Sequence, residues 1–78
     1  MKILLEVRNS PVQRFLIDLT GQNLINEVKR LIGKGKYSKA MTKVFSKGKF
    51  LKEVEESELP WLDADLILTE KSAHYDLT

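Results

Sequence analysis

The chain has 78 residues, 42% of them hydrophobic and 31% charged, with a formal net charge of +2 and no cysteine. That length leaves room for one domain with one modest core, since a second core would be too small to offset the entropy of ordering its own chain. The composition excludes a disordered tract, the missing cysteines exclude a disulfide framework or a cysteine-type zinc site, and apolar runs of three residues, as at 3–5, are far too short to cross a bilayer.

The N-terminus lacks the continuous apolar stretch and small-residue cleavage site of a secretory signal, so a cytoplasmic protein without membrane insertion is expected. The charge is unevenly placed. Residues 29–52 hold nine bases and no acid, whereas residues 53–78 hold eight acids and the single base Lys71. Such blocks mark either a polyanion-binding surface or two segments that neutralise one another on folding.

Residues 3–7 and 13–20 are rich in strand formers and flank the turn-forming Asn9, Ser10 and Pro11, which reads as an antiparallel hairpin. Pairing residues whose numbers sum to 20 sets Ile3 against Ile17 and Leu5 against Phe15 on one face. On the other it sets Leu4 against Leu16, with Lys2 facing Asp18 and Glu6 facing Arg14, so both charge pairs are complementary. Proline is a poor end for a three-residue hairpin loop, which favours a longer connection.

After Gly21 the period changes to that of a helix, with Leu24, Val28 and Leu31 widened by Ile25 and Ile32. Thr20 or Asn23 is placed to cap its start and Gly33 to end it. A basic connection at 33–39 follows. Residues 42–46 read as a third strand, 47–48 as a turn and 49–51 as a short fourth strand, followed by an acidic loop at 53–58. Residues 59–62 read as one helical turn with Trp61 lying over the core. Residues 65–69 read as the closing strand, and residues 71–78 as a flexible tail after a domain spanning 1–70.

The order of elements resembles ubiquitin and the β-grasp fold. The stretch from Val44 to Leu51, an apolar pair before a glycine turn, a lysine and a leucine, is similar to ubiquitin's third-strand region, and the opening Met1, Lys2 and Ile3 also looks alike. The resemblance implies an α+β domain, a mixed sheet of four to five strands packed on one helix. The ending at 62–68 resembles the small ubiquitin-like accessory proteins of Gram-positive type VII secretion, with Ala64 where those proteins usually carry glycine. The conjugating and sulfur-carrying relatives end in an exposed diglycine, whereas this sequence ends His74, Tyr75, Asp76, Leu77, Thr78. Unless a longer precursor is trimmed, conjugation is not expected.

In the β-grasp order of second, first, last and third strand, Leu16, Leu4, Ile67 and Phe45 share the outward face, with Lys2, Lys43 and Lys47 nearby. An exposed apolar patch with a charged rim is a docking signal, so the expected partner is another protein, with a homodimer as the other use of that face. The expected role is an adaptor or accessory subunit. Nucleic-acid binding through the basic segment 29–52, with Tyr37 and Phe45 as stacking residues, and a noncatalytic subunit of an enzyme complex are the alternatives. The only histidine is His74 in the tail, the acids lack calcium-loop spacing, and residues 33–36 lack the spacing of a phosphate loop, so no catalytic residue, metal or cofactor is expected.

Overall fold

The hairpin forms in the expected register. β1 (Lys2–Val7) and β2 (Gln13–Asp18) run antiparallel, with Ile3 opposite Ile17, Leu4 opposite Leu16 and Leu5 opposite Phe15. In this computed structural model, which describes residues 1–75, residues 8–12 make the connection, longer than three residues as Pro11 required. One of the two expected charge pairs closes, since the Arg14 Nε donates to Glu6 Oε2 at 3.1 Å. In the other, Asp18 instead takes the N-terminal ammonium at 3.3 Å, and Lys2 Nζ lies 3.8 Å from Asp63.

α1 (Gln22–Gly33) buries Val28 and Ile32. Its N-cap is Gly21 and no side chain caps it, so neither Thr20 nor Asn23 has the expected role. It ends at Gly33, as expected, with Lys34 as C-cap, and the next residue, Gly35, has a φ of +72°, a left-handed conformation that glycine adopts at little cost. The Gly35 and Lys36 amides donate to the Ile32 and Leu31 carbonyls, both at 2.9 Å, which satisfies two otherwise orphaned groups.

The segment expected as a third strand lies inside a second helix, α2 (Tyr37–Lys47). Tyr37, Ala40, Met41 and Val44 form an i, i+3, i+4, i+7 stripe, and the last three are buried. Burying that stripe outweighs the strand preference of Val44 and Phe45. The domain therefore packs two helices, not one, against its sheet.

β3 (Lys49–Glu53), β4 (Leu66–Thr69) and β5 (Ser72–Tyr75) complete a five-stranded mixed sheet in the order β3-β2-β1-β4-β5. β4 runs parallel to β1 and every other pair is antiparallel. This differs from the expected order, because the strand after the helices adds to β2 instead of lying beyond the closing strand. Residues 72–75, expected as tail, pair with β4, with Ser72 opposite Thr69 and Ala73 opposite Leu68. The remainder of the expected tail, residues 76–78, lies outside the described residues.

Both faces of the sheet are covered. The helix side holds the main core, with Ile3, Leu5, Ile17, Leu66 and Leu68 packed against Val28 and Val44. On the other side Leu4, Leu16, Val54 and Ala64 form a second core, and Leu59, Leu62 and Ile67 pack onto it. Its cover is the segment 54–64, which contains a 3-10 helix (Glu56–Trp61). The helix start is closed reciprocally: the Glu55 side chain accepts from the backbone of Glu58, and the Glu58 side chain accepts from the Glu55 amide.

Candidate docking surface

The seven residues expected on one outward face separate. Leu4 and Leu16 are 1% and 7% exposed, floor residues of the second core, and Ile67 is half-buried beside them. Strand parity placed them on the face away from α1 correctly, but the cover supplied by 54–64 takes that face out of water. Phe45 and Lys43 sit on α2, on the opposite side of the sheet, with Lys47 in the last turn of that helix. Lys2 is exposed on β1 and faces Asp63.

A different apolar surface replaces the expected one. Phe45 at 60% and Phe50 at 55% are exposed, and each stacks on the partly buried Phe15 of β2, with ring centroids 6.1 and 6.2 Å apart. Such tilted and edge-on contacts suit the positive rim and negative face of the rings. Phe50 lies opposite Ile17 and therefore faces the helix side of the sheet, where the end of α2 brings Phe45. The pairing of β2 with β3 shifts register between Leu16 and Ile17, and Leu51, 39% exposed, has no partner at this irregularity.

β3 is one of the two edge strands, and all five of its residues are exposed. The Val54 amide donates to the Arg14 carbonyl at 2.8 Å. By the alternation of an antiparallel ladder, the Glu53 amide one residue earlier points away from β2, toward the free edge. Three rings and an unpaired strand edge thus share one border of the molecule.

The junction before β3 is tight. A Cβ built on Gly48 would lie 2.4 Å from Ile17 Cγ2 and 2.7 Å from the Val44 carbonyl oxygen. The absence of a side chain at this one position lets the chain leave α2 and enter β3 against β2, which sets Phe45 and Phe50 on either side of Phe15.

The basic segment is not neutralised as a block by the acidic one. Lys52 pairs with Glu58, and Lys43 Nζ donates to Glu27 of α1 at 2.5 Å. Lys34, Lys36, Lys39, Lys47 and Lys49 form no ion pair among the described residues. At 100° per residue, Lys39, Lys43 and Lys47 fall in one stripe of about 80° along α2, with Lys36 at the N-cap before it. A groove of about 450 Å³ between the helices runs beside it, lined by Glu27, Leu31, Ser38, Thr42 and Ser46 with Lys39 and Lys43. Two of its hydroxyls are already committed, Thr42 to the Ser38 carbonyl and Ser46 to the Lys43 carbonyl.

The hydrogen bond from Lys43 holds the Glu27 carboxyl below the usual carboxylate range, with the charges of Lys43 and Arg30 adding to it. Glu58 is lowered in the same way, first by its bond from Lys52 and then by the Glu55 amide. Each folded carboxyl therefore binds its proton less readily than the unfolded chain does. The stabilisation is present above the ordinary value of 4.5 and is lost as pH falls through the lowered folded values. Lys43→Met should raise the Glu27 titration midpoint toward 4.5 and leave Glu58 unmoved, read from carboxyl carbon NMR shifts. An unmoved Glu27 midpoint would show that Lys43 is not its partner in solution.

Trp61, expected as a lid over the core, is 83% exposed. Leu59 and Leu62, on either side of the Pro60–Trp61 pair, enter the second core instead, and their spacing turns the indole outward. Among the described residues no group of His, Asp or Glu is arranged to hold a metal ion, and no helix is long and apolar enough to cross a membrane.

The chain matches no family model, no curated protein and no solved structure.

Proposed function

We infer that this α+β domain is a ubiquitin-like protein-interaction module, an adaptor or accessory subunit acting by noncovalent docking, with its partner seated on Phe45, Phe50 and Leu51 at the β3 border. The observation that carries the reading is the exposed aromatic pair braced on Phe15 beside a free strand edge. Exposed rings held in place by a third ring give a partner a large contact at little entropic cost, the usual character of an interface anchor. Lys47 and Lys49, exposed and without a carboxylate partner among the described residues, add a polar rim.

The ubiquitin-like part of the reading is supported by the β1–β2 hairpin, the helix that follows it, and the return of β4 parallel to β1. The second helix and the placement of β3 beside β2 are this chain's departures from that plan. The type VII secretion setting rests only on the resemblance of residues 62–68.

Capture of a stoichiometric protein partner by the wild-type chain should be lost in Phe45→Glu/Phe50→Glu. Two hot-spot side chains imply a loss of affinity on the order of 30-fold or more. Both side chains are more than half exposed, so the variant should keep the wild-type circular dichroism spectrum. Retained capture by the folded double variant would remove the surface from the argument. The lysine stripe of α2 favours a second reading, polyanion binding. In the same comparison that reading requires bound nucleic acid that the double variant still holds and that salt displaces.

A further inference from the structure

The groove of about 450 Å³ between α1 and α2 is bordered by charge almost wholly of one sign. Lys39 and Lys43 line it from α2, and Glu27 and Leu31 line it from α1. The backbone sets further bases beside it. The Lys34 amide donates to the Arg30 carbonyl at 3.1 Å, so Lys34 keeps the phase of α1. At 100° per residue it falls within about 40° of the midpoint between Glu27 and Leu31. The Lys36 amide donates to the Leu31 carbonyl at 2.9 Å, which holds the start of α2 at the same end of the groove. Arg30 is near enough for its charge to act on the Glu27 carboxyl.

One acid, Glu27, thus stands among Arg30, Lys34, Lys36, Lys39 and Lys43, and Lys47 continues the α2 stripe one turn further. Glu27 takes the Lys43 ammonium, which leaves Lys34, Lys36, Lys39 and Lys47 without a carboxylate partner among the described residues. Lys39 and Lys43, and again Lys43 and Lys47, are four residues apart on α2, a spacing at which like charges repel. A ligand with closely spaced negative charges relieves that repulsion. The Ser38 hydroxyl on the groove wall forms no hydrogen bond among the described residues, so it can donate to an anionic oxygen.

We propose that this groove binds the phosphate backbone of a nucleic-acid duplex, with Lys34, Lys36, Lys39 and Lys47 neutralising phosphates along it. The walls choose this occupant. Among the described residues Leu31 alone lines the groove with an apolar side chain, and lysine is depleted from protein interfaces, so the anchor that a protein partner needs is missing. A helix that binds a membrane surface inserts its apolar face, whereas Ala40, Met41 and Val44 of α2 are buried in the core. No ring among the described residues lines this groove, and Phe45 lies in a separate one beside β1, so bases find nothing to stack on. The contact is therefore with backbone alone, and a duplex, whose phosphates are denser, binds more tightly than a single strand of the same length. The inference rests on the polyanion reading of the α2 stripe and leaves the Phe45 docking face to its own partner.

Fluorescence anisotropy of a labelled duplex of about 20 base pairs, titrated with the full chain at several salt concentrations, tests this. Contact with about four to six phosphates gives a slope of about −4 to −5 for the logarithm of affinity against the logarithm of salt concentration. Lys36→Gln/Lys39→Gln should weaken binding by about tenfold or more and reduce the slope by about 2. Both side chains are exposed, so the variant should keep the wild-type circular dichroism spectrum and still capture the protein partner through Phe45 and Phe50. Lys29→Gln/Lys71→Gln removes the same charge elsewhere, since Lys29 lies about 180° around α1 from the Glu27 and Leu31 midpoint and Lys71 lies between β4 and β5. That variant should bind the duplex nearly as the wild type does. Equal losses in the two variants, or none in the first, would overturn the groove while the polyanion reading stands. A wild-type chain that binds no duplex would overturn both. Tighter binding at the same salt to polyglutamate, or to equimolar phosphatidylcholine and phosphatidylserine vesicles, would replace the duplex with an acidic protein or a membrane.

Discussion

Leu4→Ala should lower the thermal midpoint of this domain by about 10–25 °C, and Leu4→Asp should leave it unfolded at room temperature. Leu4 is 1% exposed in the second core, where Leu16, Val54 and Ala64 surround it. Truncating a leucine in such a site costs about 2–5 kcal/mol, transfer and cavity together. A chain of this length has only about 4–12 kcal/mol of total stability, and each kcal/mol moves the midpoint by about 4–8 °C. The aspartate adds a buried charge with no partner, a cost no domain of this size absorbs. Phe45→Ala, 60% exposed, is the matched comparison and should cost about 1 kcal/mol, the worth of its contact with Phe15. Thermal melts of the three variants followed by circular dichroism decide between the two accounts of the Leu4 face. A folded Leu4→Asp domain with a near-wild-type midpoint would mean that segment 54–64 does not cover the sheet and that Leu4 is a surface residue.

Gly48→Ala carries the second large effect, and its sign is opposite to that of Gly33→Ala. The contact of 2.4 Å to Ile17 Cγ2 and 2.7 Å to the Val44 carbonyl leaves no room for a methyl group, and one of the two obstacles is backbone. Either β3 moves off β2 or the last turn of α2 opens, and overpacking of this kind costs about 1–3 kcal/mol. Gly33 has open space around its would-be Cβ and lies in the last turn of α1, so alanine there should stabilise by about 0.4–1 kcal/mol by restricting the unfolded chain. Urea titrations of the two single variants measure both. Because Gly48 joins the elements that carry Phe45 and Phe50, its alanine variant should also weaken partner capture, whereas Gly33→Ala should not. Equal midpoints for the two variants would mean that the junction is looser than its geometry implies.

What residues close in sequence decide was legible in the sequence. The hairpin register followed from parity and charge, because a one-residue slip would have turned Ile3, Leu5 and Ile17 into water and set Glu6 away from Arg14. α1 followed from its five apolar positions, and the strand at 66–69 from an unbroken apolar run. The second helix was written in the chain too, as the stripe of Tyr37, Ala40, Met41 and Val44, but the lysines between those positions and the strand-forming Val44 and Phe45 masked the period.

The tertiary structure alone decided which edge β3 joins and what lies over each face of the sheet. Strand alternation tells which side chains share a face; it is silent on whether another segment covers that face. Alternation therefore puts Leu4, Leu16 and Ile67 on one face without showing that the face is covered, and it does not show that Leu59 and Leu62, and not Trp61, fill the core beneath that cover. A signal of double cover was present, since residues 3–5 and 66–68 are continuously apolar where a one-sided sheet would alternate. Phe15, Phe45 and Phe50 come from a strand, a helix and another strand, and only the turn at Gly48 and the addition of β3 to β2 bring them together. Local periodicity is fixed by backbone geometry within a few residues, whereas such a surface depends on contacts whose entropy is lost only when the whole chain folds.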